Sequence, residues 1–402
     1  MLCQFLFQNF KSYKEETIFD LQAMAIPEFE ESLIVREKCN NLLPVSVIYG
    51  PNGGGKSNLL QALACLITMV VKPIHDMGNN RQTLIVQQKV LPEAFLYDQV
   101  SGEEPVAFKI FFRVQNYEYR YYLAVLHDEI ASEILDRKTI GGKKPARIFE
   151  RERENITLGT ILKKENVNTK VNEKMPYLSF LAINYNIPVI AEVQKWFESC
   201  IICSYGHPKA EMEIMLSEDD AVKKSTLVLL NDMGIDVEDY RYDDEEKELL
   251  FTRTVDGVAY ESKYSQESDG TKKLIAALPV ILIALRKGRL VIIDELDAKL
   301  HPKLLRYVIS MFKNPKINKH GAQLLFTSHD MATMKNTVFR RDEIWFAALN
   351  EKRNSEIYSL YEIRREDNER VKSTAAFDKQ YMEGRYGADP YLQNMLSGGS
   401  WI

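Results

Sequence analysis

Cysteine is scarce in this chain of 402 residues, with only five in total. Cysteines this few and this scattered exclude a disulfide framework. The one CxxC spacing, Cys200 to Cys203, supplies at most half of a zinc site. We therefore expect ordinary buried cysteines rather than metal or redox centres.

Long apolar runs, internal repeats and an excess of positive charge are also missing. No segment reaches the roughly 18 apolar residues of a membrane span, and no basic segment precedes the apolar amino terminus. The 52 Lys and Arg against 57 Asp and Glu give a net charge of −5, which disfavours non-specific binding along nucleic acid. No heptad pattern persists, which excludes a long coiled-coil arm. We expect a cytoplasmic globular protein without a membrane segment.

Local patterns predict several strands and one helix next to a glycine-rich turn. Alternating residues 3–10 and 17–21 predict an amino-terminal hairpin, and the aromatic runs 107–114 and 117–125 predict a second one. The apolar run 43–49 predicts a strand buried on both faces. Helical spacing of apolar residues follows from residue 57 to about residue 69.

The acidic run Asp243-Asp244-Glu245-Glu246 is a candidate metal site or a solvated turn. Loops that bind hard cations place carboxylates at alternating positions with a glycine, and this run does not. The pattern therefore favours a turn between two strands.

The glycine-rich run Gly50-Pro51-Asn52-Gly53-Gly54-Gly55-Lys56-Ser57 carries the strongest chemical signal. It fits the phosphate-loop pattern G-x-x-x-x-G-K-[ST] between a predicted strand and a predicted helix. In such loops backbone N–H groups surround the phosphates, the lysine reaches their outer oxygens, and the serine hydroxyl ligates Mg²⁺. The candidate nucleotide-binding residues are Asn52, Gly53, Gly54, Gly55, Lys56 and Ser57, with Ser57 also a candidate metal ligand.

Two further apolar strands are predicted to end in chemically useful residues. The run 290–293 leads into Asp294, a candidate Mg²⁺ ligand, and Glu295, a candidate general base for an attacking water. The run 324–327 leads to His329. A histidine in this position, shortly after the acidic pair, favours a functional role over a structural one.

The order of phosphate loop, Ser-x-Gly turn, acidic pair and strand-terminal histidine resembles that of ATP-binding-cassette ATPases. The Ser-x-Gly turn is Glu267-Ser268-Asp269-Gly270-Thr271, here called the signature turn. The resemblance implies ATP and Mg²⁺ as cofactors and a head-to-tail homodimer, or a higher homo-oligomer. In it, Ser268 and Gly270 of one protomer contact the γ-phosphate on the other, and His329 senses that phosphate.

The match to that class is incomplete. Glu267, Asp269 and Thr271 stand where the family has leucine, glycine and glutamine. The resemblance also assigns Asp297 to a loop that communicates between the two sites. The family also places a glutamine near the nucleotide. Gln87, Gln88 and Gln99 are the candidates for it, and the sequence does not distinguish among them.

Within the class, the chain resembles ATPases of phage defence, close to the AbiLi and RloA-like abortive-infection proteins and to the ATPase domain of overcoming-lysogenization nucleases. The run Asn9-Phe10-Lys11-Ser12-Tyr13 and the tail 381–390 carry much of this resemblance, and Lys11 and Ser12 join the candidate nucleotide-binding residues. Only 73 residues follow His329, fewer than the nuclease domain of those relatives needs. We therefore expect a separately encoded toxin or nuclease as the effector partner.

Together these observations predict an α/β P-loop NTPase of ATP-binding-cassette type with an N-terminal antiparallel β-subdomain and a helical insertion. Residues 1–150 are expected to form the first core lobe, 151–260 a mostly helical insertion, and 261–402 the second core lobe with a C-terminal cap. The predicted function is an ATP-hydrolysing sensor and regulator of a bacterial antiphage defence system.

A DNA-binding maintenance ATPase resembling RecF and the SMC heads is the alternative. In this alternative, basic side chains would contact the phosphates of DNA. Acidic residues are almost as frequent as basic ones in the same part of the sequence, so nucleic acid is possible as a partner but not indicated by charge. These basic residues are Lys11, Arg340, Arg341, Arg364 and Arg365. A metabolic P-loop kinase fits less well, because it needs neither the signature turn nor His329.

Overall fold

Both predicted hairpins lie in one antiparallel sheet of seven strands. The computed structural model describes residues 1–77, 91–203, 220–243, 245–246, 248–364 and 368–388. The strands of this sheet are β1 (Leu2–Gln8), β2 (Thr17–Asp20), β4 (Val106–Val114), β5 (Tyr117–Leu126), β6 (Glu129–Thr139), β7 (Ala146–Glu152) and β8 (Asn155–Leu158). Their spatial order is β2-β1-β4-β5-β6-β7-β8.

A second sheet of six strands has the spatial order β16-β15-β3-β14-β13-β9. Its strands are β3 (Val45–Tyr49), β9 (Ile201–Cys203), β13 (Leu290–Ile293), β14 (Gln323–Thr327), β15 (Ile344–Leu349) and β16 (Ser355–Ser359). All neighbours pair in parallel except β15 and β16. Every residue of β3, β13 and β14 is buried, as the apolar runs predict for strands covered on both faces.

Helices cover both faces of the six-stranded sheet. The helices are α1 (Lys56–Met77), α2 (Thr160–Lys163), α3 (Tyr177–Asn184), α4 (Pro188–Ser199), α5 (Asp220–Asp232), α6 (Asp269–Lys287), α7 (Pro302–Lys313) and α8 (Phe377–Met382). Short 3-10 turns occupy Glu30–Ser32, Val100–Glu103, Tyr264–Gln266 and Arg341–Glu343.

The helix α1 packs with residues of both large sheets in one apolar core. Leu63 and Leu66 of α1 share this core with Phe108 of the first sheet and Ile48 of the second. By length and apolar composition α1 could cross a membrane, but most of its apolar side chains are buried in this core. The opposite face of the second sheet packs against α6 and α7, where Val47 and Phe326 lie.

The middle of the chain contains strands as well as helices. A third, antiparallel sheet consists of β10 (Asp239–Asp243), β11 (Glu248–Val255) and β12 (Val258–Lys263). The expected boundaries at residues 150 and 260 therefore fall inside β7 and β12. Near the first of these boundaries, Arg151 is buried in β7 and donates to the backbone carbonyl of Met175 at 2.7 Å.

The acidic run near residue 243 connects β10 and β11, as expected for a turn between two strands. The Asp243 carboxylate accepts the backbone N–H groups of Glu245 and Glu246, each at 3.0 Å, which is a local turn contact. Asp244 lies outside the described residues.

The tail beyond residue 376 packs against the second sheet as far as it is described. The Tyr381 and Tyr386 rings lie 5.5 and 5.3 Å from the Phe346 ring on β15. The Tyr381 hydroxyl donates to the Ala388 carbonyl at 2.8 Å. This part of the tail is therefore a packed cap.

Candidate functional site

The candidate site lies at the carboxyl edge of the six-stranded sheet. Ile48 of β3 pairs with Thr327 of β14, and Phe326 of β14 pairs with Ile293 of β13. Because these strands are parallel neighbours, the segments that follow them emerge side by side. Those segments are the phosphate loop 50–57, the turn that begins at His329, and the residues 294–300, here called the acidic turn. Ligands of open α/β sheets bind at this kind of edge.

The phosphate loop is packed closely against the rest of the protein on one side. Gly55 has a φ of +105°, and a Cβ there would lie 2.4 Å from the Ser355 Oγ. A Cβ on Gly50 would lie 2.0 Å from the Ala347 carbonyl oxygen. On the other side Asn52 and Gly53 are exposed. Glycine is therefore required where the loop meets β15 and β16, and the open side is available to a phosphate group.

Lys56 lies across the phosphate loop. Its Nζ donates to the Gly50 carbonyl at 2.9 Å and to the Pro51 carbonyl at 3.0 Å. Burial lowers the pKa of Lys56, while the negative charges of the acidic turn act in the opposite direction. Those charges belong to Asp294, Glu295 and Asp297. The structure thus brings the predicted lysine and the predicted acidic pair into one site.

The candidate metal ligands Ser57 and Asp294 offer one hydroxyl and one carboxylate, the oxygen donors that Mg²⁺ prefers. Both residues are partly exposed. Among the described residues, no group of three or more His, Cys, Asp or Glu side chains could hold a metal ion alone. This donor set fits a Mg²⁺ ion that takes most of its ligands from phosphate oxygens and water.

A threonine that the sequence patterns did not single out connects the two acidic residues. The fully buried Thr327 hydroxyl donates to the Asp294 Oδ1 at 2.5 Å and accepts the Glu295 backbone N–H at 2.7 Å. Glu295 itself is exposed and has a φ of +51°, which is unusual for a residue other than glycine. Thr327 therefore fixes both the candidate metal ligand and the backbone of the candidate base.

His329 lies beside the acidic turn. Its backbone N–H donates to the Asp297 Oδ2 at 2.9 Å, and its side chain is exposed. The Asp297 Oδ1 is buried and makes no hydrogen bond within the described part of the chain. The histidine predicted from the end of β14 is thus held close to the acidic turn through its backbone.

The signature turn lies at the amino terminus of α6. The Ser268 Oγ caps this helix by accepting the Thr271 N–H at 3.2 Å, and Ser268 is exposed. Gly270 is close to the acidic turn, because a Cβ there would lie 2.8 Å from the Lys299 carbonyl oxygen. Within the described residues, no hydrogen bond joins Ser268 or Gly270 to the phosphate loop.

The amino-terminal turn that contains Lys11 and Ser12 supports the phosphate loop from behind. The Lys11 Nζ donates to the Gln61 Oε1 on α1 at 2.8 Å, and the Ser12 Oγ accepts from the Asn58 Nδ2 at 2.8 Å. The buried Tyr13 hydroxyl donates to the Gly55 carbonyl at 3.1 Å. Tyr13 and Asn58 were not predicted as site residues. Asn58 directly follows the loop in sequence, whereas the contact of Tyr13 with the loop follows only from the fold.

Two of the basic residues considered for DNA binding, Arg340 and Arg341, are engaged within the protein. Arg340 is fully buried and its Nε lies 2.9 Å from the Asp342 Oδ1. The Arg341 Nη2 lies 2.7 Å from the Glu28 Oε1. Neither guanidinium is available to a phosphate backbone. Arg364 is exposed, whereas Arg365 lies outside the described residues.

The glutamine left open in the sequence remains undecided. Gln87 and Gln88 lie outside the described residues. Gln99 is exposed and precedes the 3-10 turn Val100–Glu103.

The loop after β3, the lysine within it and the acidic turn beside it define a P-loop NTPase site. Residues 45–335 match the family described as "AAA domain, putative AbiEii toxin, Type IV TA system". The chain belongs to this family, and a search of curated proteins found no match.

Solved structures similar to the chain include heads of SMC proteins. The SMC head domain from Thermotoga maritima is 13% identical, with 89% of this chain and 98% of that chain covered and a TM-score of 0.43. The SMC head bound to the C-winged helix domain of ScpA is 12% identical, with coverage of 89% and 97% and a TM-score of 0.46. The head with coiled coil and joint derived from Pyrococcus yayanosii is 10% identical, with coverage of 91% and 98% and a TM-score of 0.42.

We expect Thr327→Val to destabilise the protein. The substitution leaves the Glu295 N–H and the Asp294 carboxylate without their shared buried partner, which costs about 1–3 kcal/mol of unfolding free energy. Urea unfolding measures this loss. Thr327→Ser keeps the hydroxyl and should recover most of it. A valine variant as stable as the wild type would contradict the bridging role.

We expect Gly55→Ala to weaken nucleotide binding by more than about tenfold, because the new Cβ both strains the backbone and displaces Ser355 from the loop. Titration with a fluorescent ATP analogue measures the affinity. Gly234→Ala is the matched control, since Gly234 has a φ of +78° but nothing within 4 Å of its added Cβ. If the two variants bind equally well, close packing behind the loop does not shape the site.

Proposed function

We propose that this protein is an ATPase of ATP-binding-cassette type that dimerises on ATP and controls a separately encoded toxin or nuclease in bacterial antiphage defence. The observation that carries the ATPase part is the meeting of Lys56, Asp294 and Glu295 at one edge of the sheet. A strand-terminal acidic pair is common by itself. Beside a phosphate loop, such a pair can hold Mg²⁺ and accept a proton from the attacking water.

The chemistry proposed for the site is transfer of the γ-phosphoryl group of ATP to water. The Lys56 ammonium would leave the Gly50 and Pro51 carbonyls and bind phosphate oxygens, and Ser57 and Asp294 would hold Mg²⁺. A bound Mg²⁺ ion neutralises charge that develops on the phosphates. The water oxygen bonds to the γ-phosphorus as the bond to the bridging oxygen breaks. The Glu295 carboxylate takes the water proton, and ADP leaves with the bonding electrons.

The head-to-tail dimer is supported by the position of the signature turn. Ser268 is exposed at the start of α6, where N–H groups and the helix dipole favour an anion. In the described chain its hydroxyl is bonded to Thr271, within the turn itself. A second protomer would bring this turn to the γ-phosphate and His329 from the opposite side.

The defence role is supported by the family description, which names a toxin and a toxin–antitoxin system. It is also supported by the resemblance of the motifs to AbiLi and RloA-like proteins. We include in this proposal the cytoplasmic location and the two core lobes around a central insertion. For the DNA-maintenance alternative, two of the five basic residues considered as phosphate contacts, Arg340 and Arg341, are already paired with acidic residues.

Replacing the phosphate-loop lysine should abolish nucleotide binding. Lys56→Ala removes the cation that crosses the loop, and we expect affinity for a fluorescent ATP analogue to fall by about a hundredfold or more. Lys72→Ala, on the same helix but 16 residues after Lys56, is the control. Retention of wild-type affinity by Lys56→Ala would contradict the assignment of the loop.

Replacing the candidate base should separate binding from turnover. Glu295→Gln keeps the shape and removes the proton acceptor, so we expect ATP affinity to persist while phosphate release falls about a hundredfold. Light scattering should then show a dimer that persists with ATP. Glu154→Gln, in the exposed turn between β7 and β8, is the control. A normal hydrolysis rate in Glu295→Gln would overturn the role of Glu295.

The regulatory role is tested in cells. Affinity purification of the Glu295→Gln protein, expressed from its native operon, should recover the product of a neighbouring gene. Purifications with and without phage infection that recover no such protein would contradict control of a separate effector.

A further inference from the structure

Lys273 joins the helix of the signature turn to the acidic turn of the same protomer. It lies in α6, five residues after Ser268, and is only 7% exposed. Its Nζ donates to the Glu295 carbonyl at 2.5 Å and to the Ala298 carbonyl at 2.9 Å. One buried cation therefore contacts the backbone of the acidic turn at two points.

The backbone of Glu295 is held from both sides. Its N–H donates to Thr327 on β14, and its carbonyl accepts from Lys273 on α6. With a φ of +51°, Glu295 has a backbone conformation that only surrounding contacts maintain. The direction of its carboxylate therefore depends on the relative position of β14 and α6.

Two further contacts between α6 and the acidic turn do not involve a buried charge. The Asp269–Lys299 ion pair, at 2.8 Å, has side chains that are 63% and 64% exposed, and exposed pairs contribute little. Gly270 fits against the Lys299 carbonyl by shape alone. Lys273 is the buried, charged contact that reaches Glu295.

The charged form of the Lys273 ammonium is disfavoured by burial. Burial lowers its pKa to about 8, although the charges of Asp297 and Glu295 act in the opposite direction. An apolar side chain would avoid this desolvation cost. Perturbed, buried groups of this kind cluster at functional sites.

We propose that Lys273 is a positioning residue that couples the two ATP sites of the dimer. This inference rests on the function proposed above. When the signature turn of one protomer engages ATP on its partner, α6 moves as a rigid element and Lys273 moves with it. Lys273 then sets the backbone of Glu295 in its own protomer, so that the base is aligned only when the partner site is occupied.

The first test separates positioning from binding. Lys273→Met keeps the length and the apolar packing of the stem but removes the donors. We expect kcat for ATP hydrolysis to fall by about tenfold to a hundredfold, while KM and the affinity for a fluorescent ATP analogue stay within about twofold. Lys273→Arg keeps charge and donors and should recover most of kcat. A methionine variant with wild-type kcat would overturn the inference.

The second test asks whether Lys273 acts through Glu295. In the Glu295→Gln background, Lys273→Met should cause no further loss of turnover, because the base is already absent. A further loss as large as in the wild-type background would overturn the inference. Lys287→Met, at the exposed carboxyl-terminal end of α6, is the matched control and should keep turnover within about twofold.

The outcomes distinguish this inference from the proposed function. A wild-type protein without ATP turnover would contradict the function itself. Wild-type turnover, slow Glu295→Gln and an unaffected Lys273→Met would overturn only the role of Lys273. If Lys273→Met does not fold, Lys273→Leu takes its place with the same expected and contradicting results, because it also lacks a donor.

Discussion

Parallel pairing of β3, β14 and β13 is the constraint on which the site depends. The side chains of these strands are divided between two apolar cores, and a slip of one residue would move each side chain into the other core and disrupt the packing of both. With Ile48 opposite Thr327 and Phe326 opposite Ile293, the phosphate loop and the acidic turn leave the sheet side by side. In another register Glu295 would not lie beside the phosphate loop and could not act on a nucleotide bound there.

The site is assembled from parts of the chain that are far apart in sequence. The phosphate loop touches Tyr13 before it and Ala347 and Ser355 nearly 300 residues after it. Such contacts explain why glycine is needed on the packed side of the loop. They also mean that the loop is shaped by the amino-terminal hairpin and by β15–β16 as much as by its own sequence. A mutation in either could alter nucleotide binding without touching the nucleotide.

Periodicity and motif spacing predicted the local structure of the site well. The β1–β2 hairpin, the buried strand β3, the helix α1 and the position of Glu295 after a buried strand all followed from short-range patterns. Long-range partners did not follow, because nothing local marks Thr327 as the partner of Glu295 or Arg340 as a buried ion pair. The boundary expected at residue 150 lies inside β7, because composition near a turn does not reveal how strands pair.

The central claim is that each ATP site combines the phosphate loop of one protomer with the signature turn of the other. Mixing two inactive variants, Lys56→Ala and Ser268→Arg, tests it most directly. The mixed dimer has one damaged and one intact composite site, so ATP should dimerise an equal mixture, measured by light scattering, although it dimerises neither variant alone. A mixture that ATP dimerises no more than the two variants measured separately would contradict the shared site.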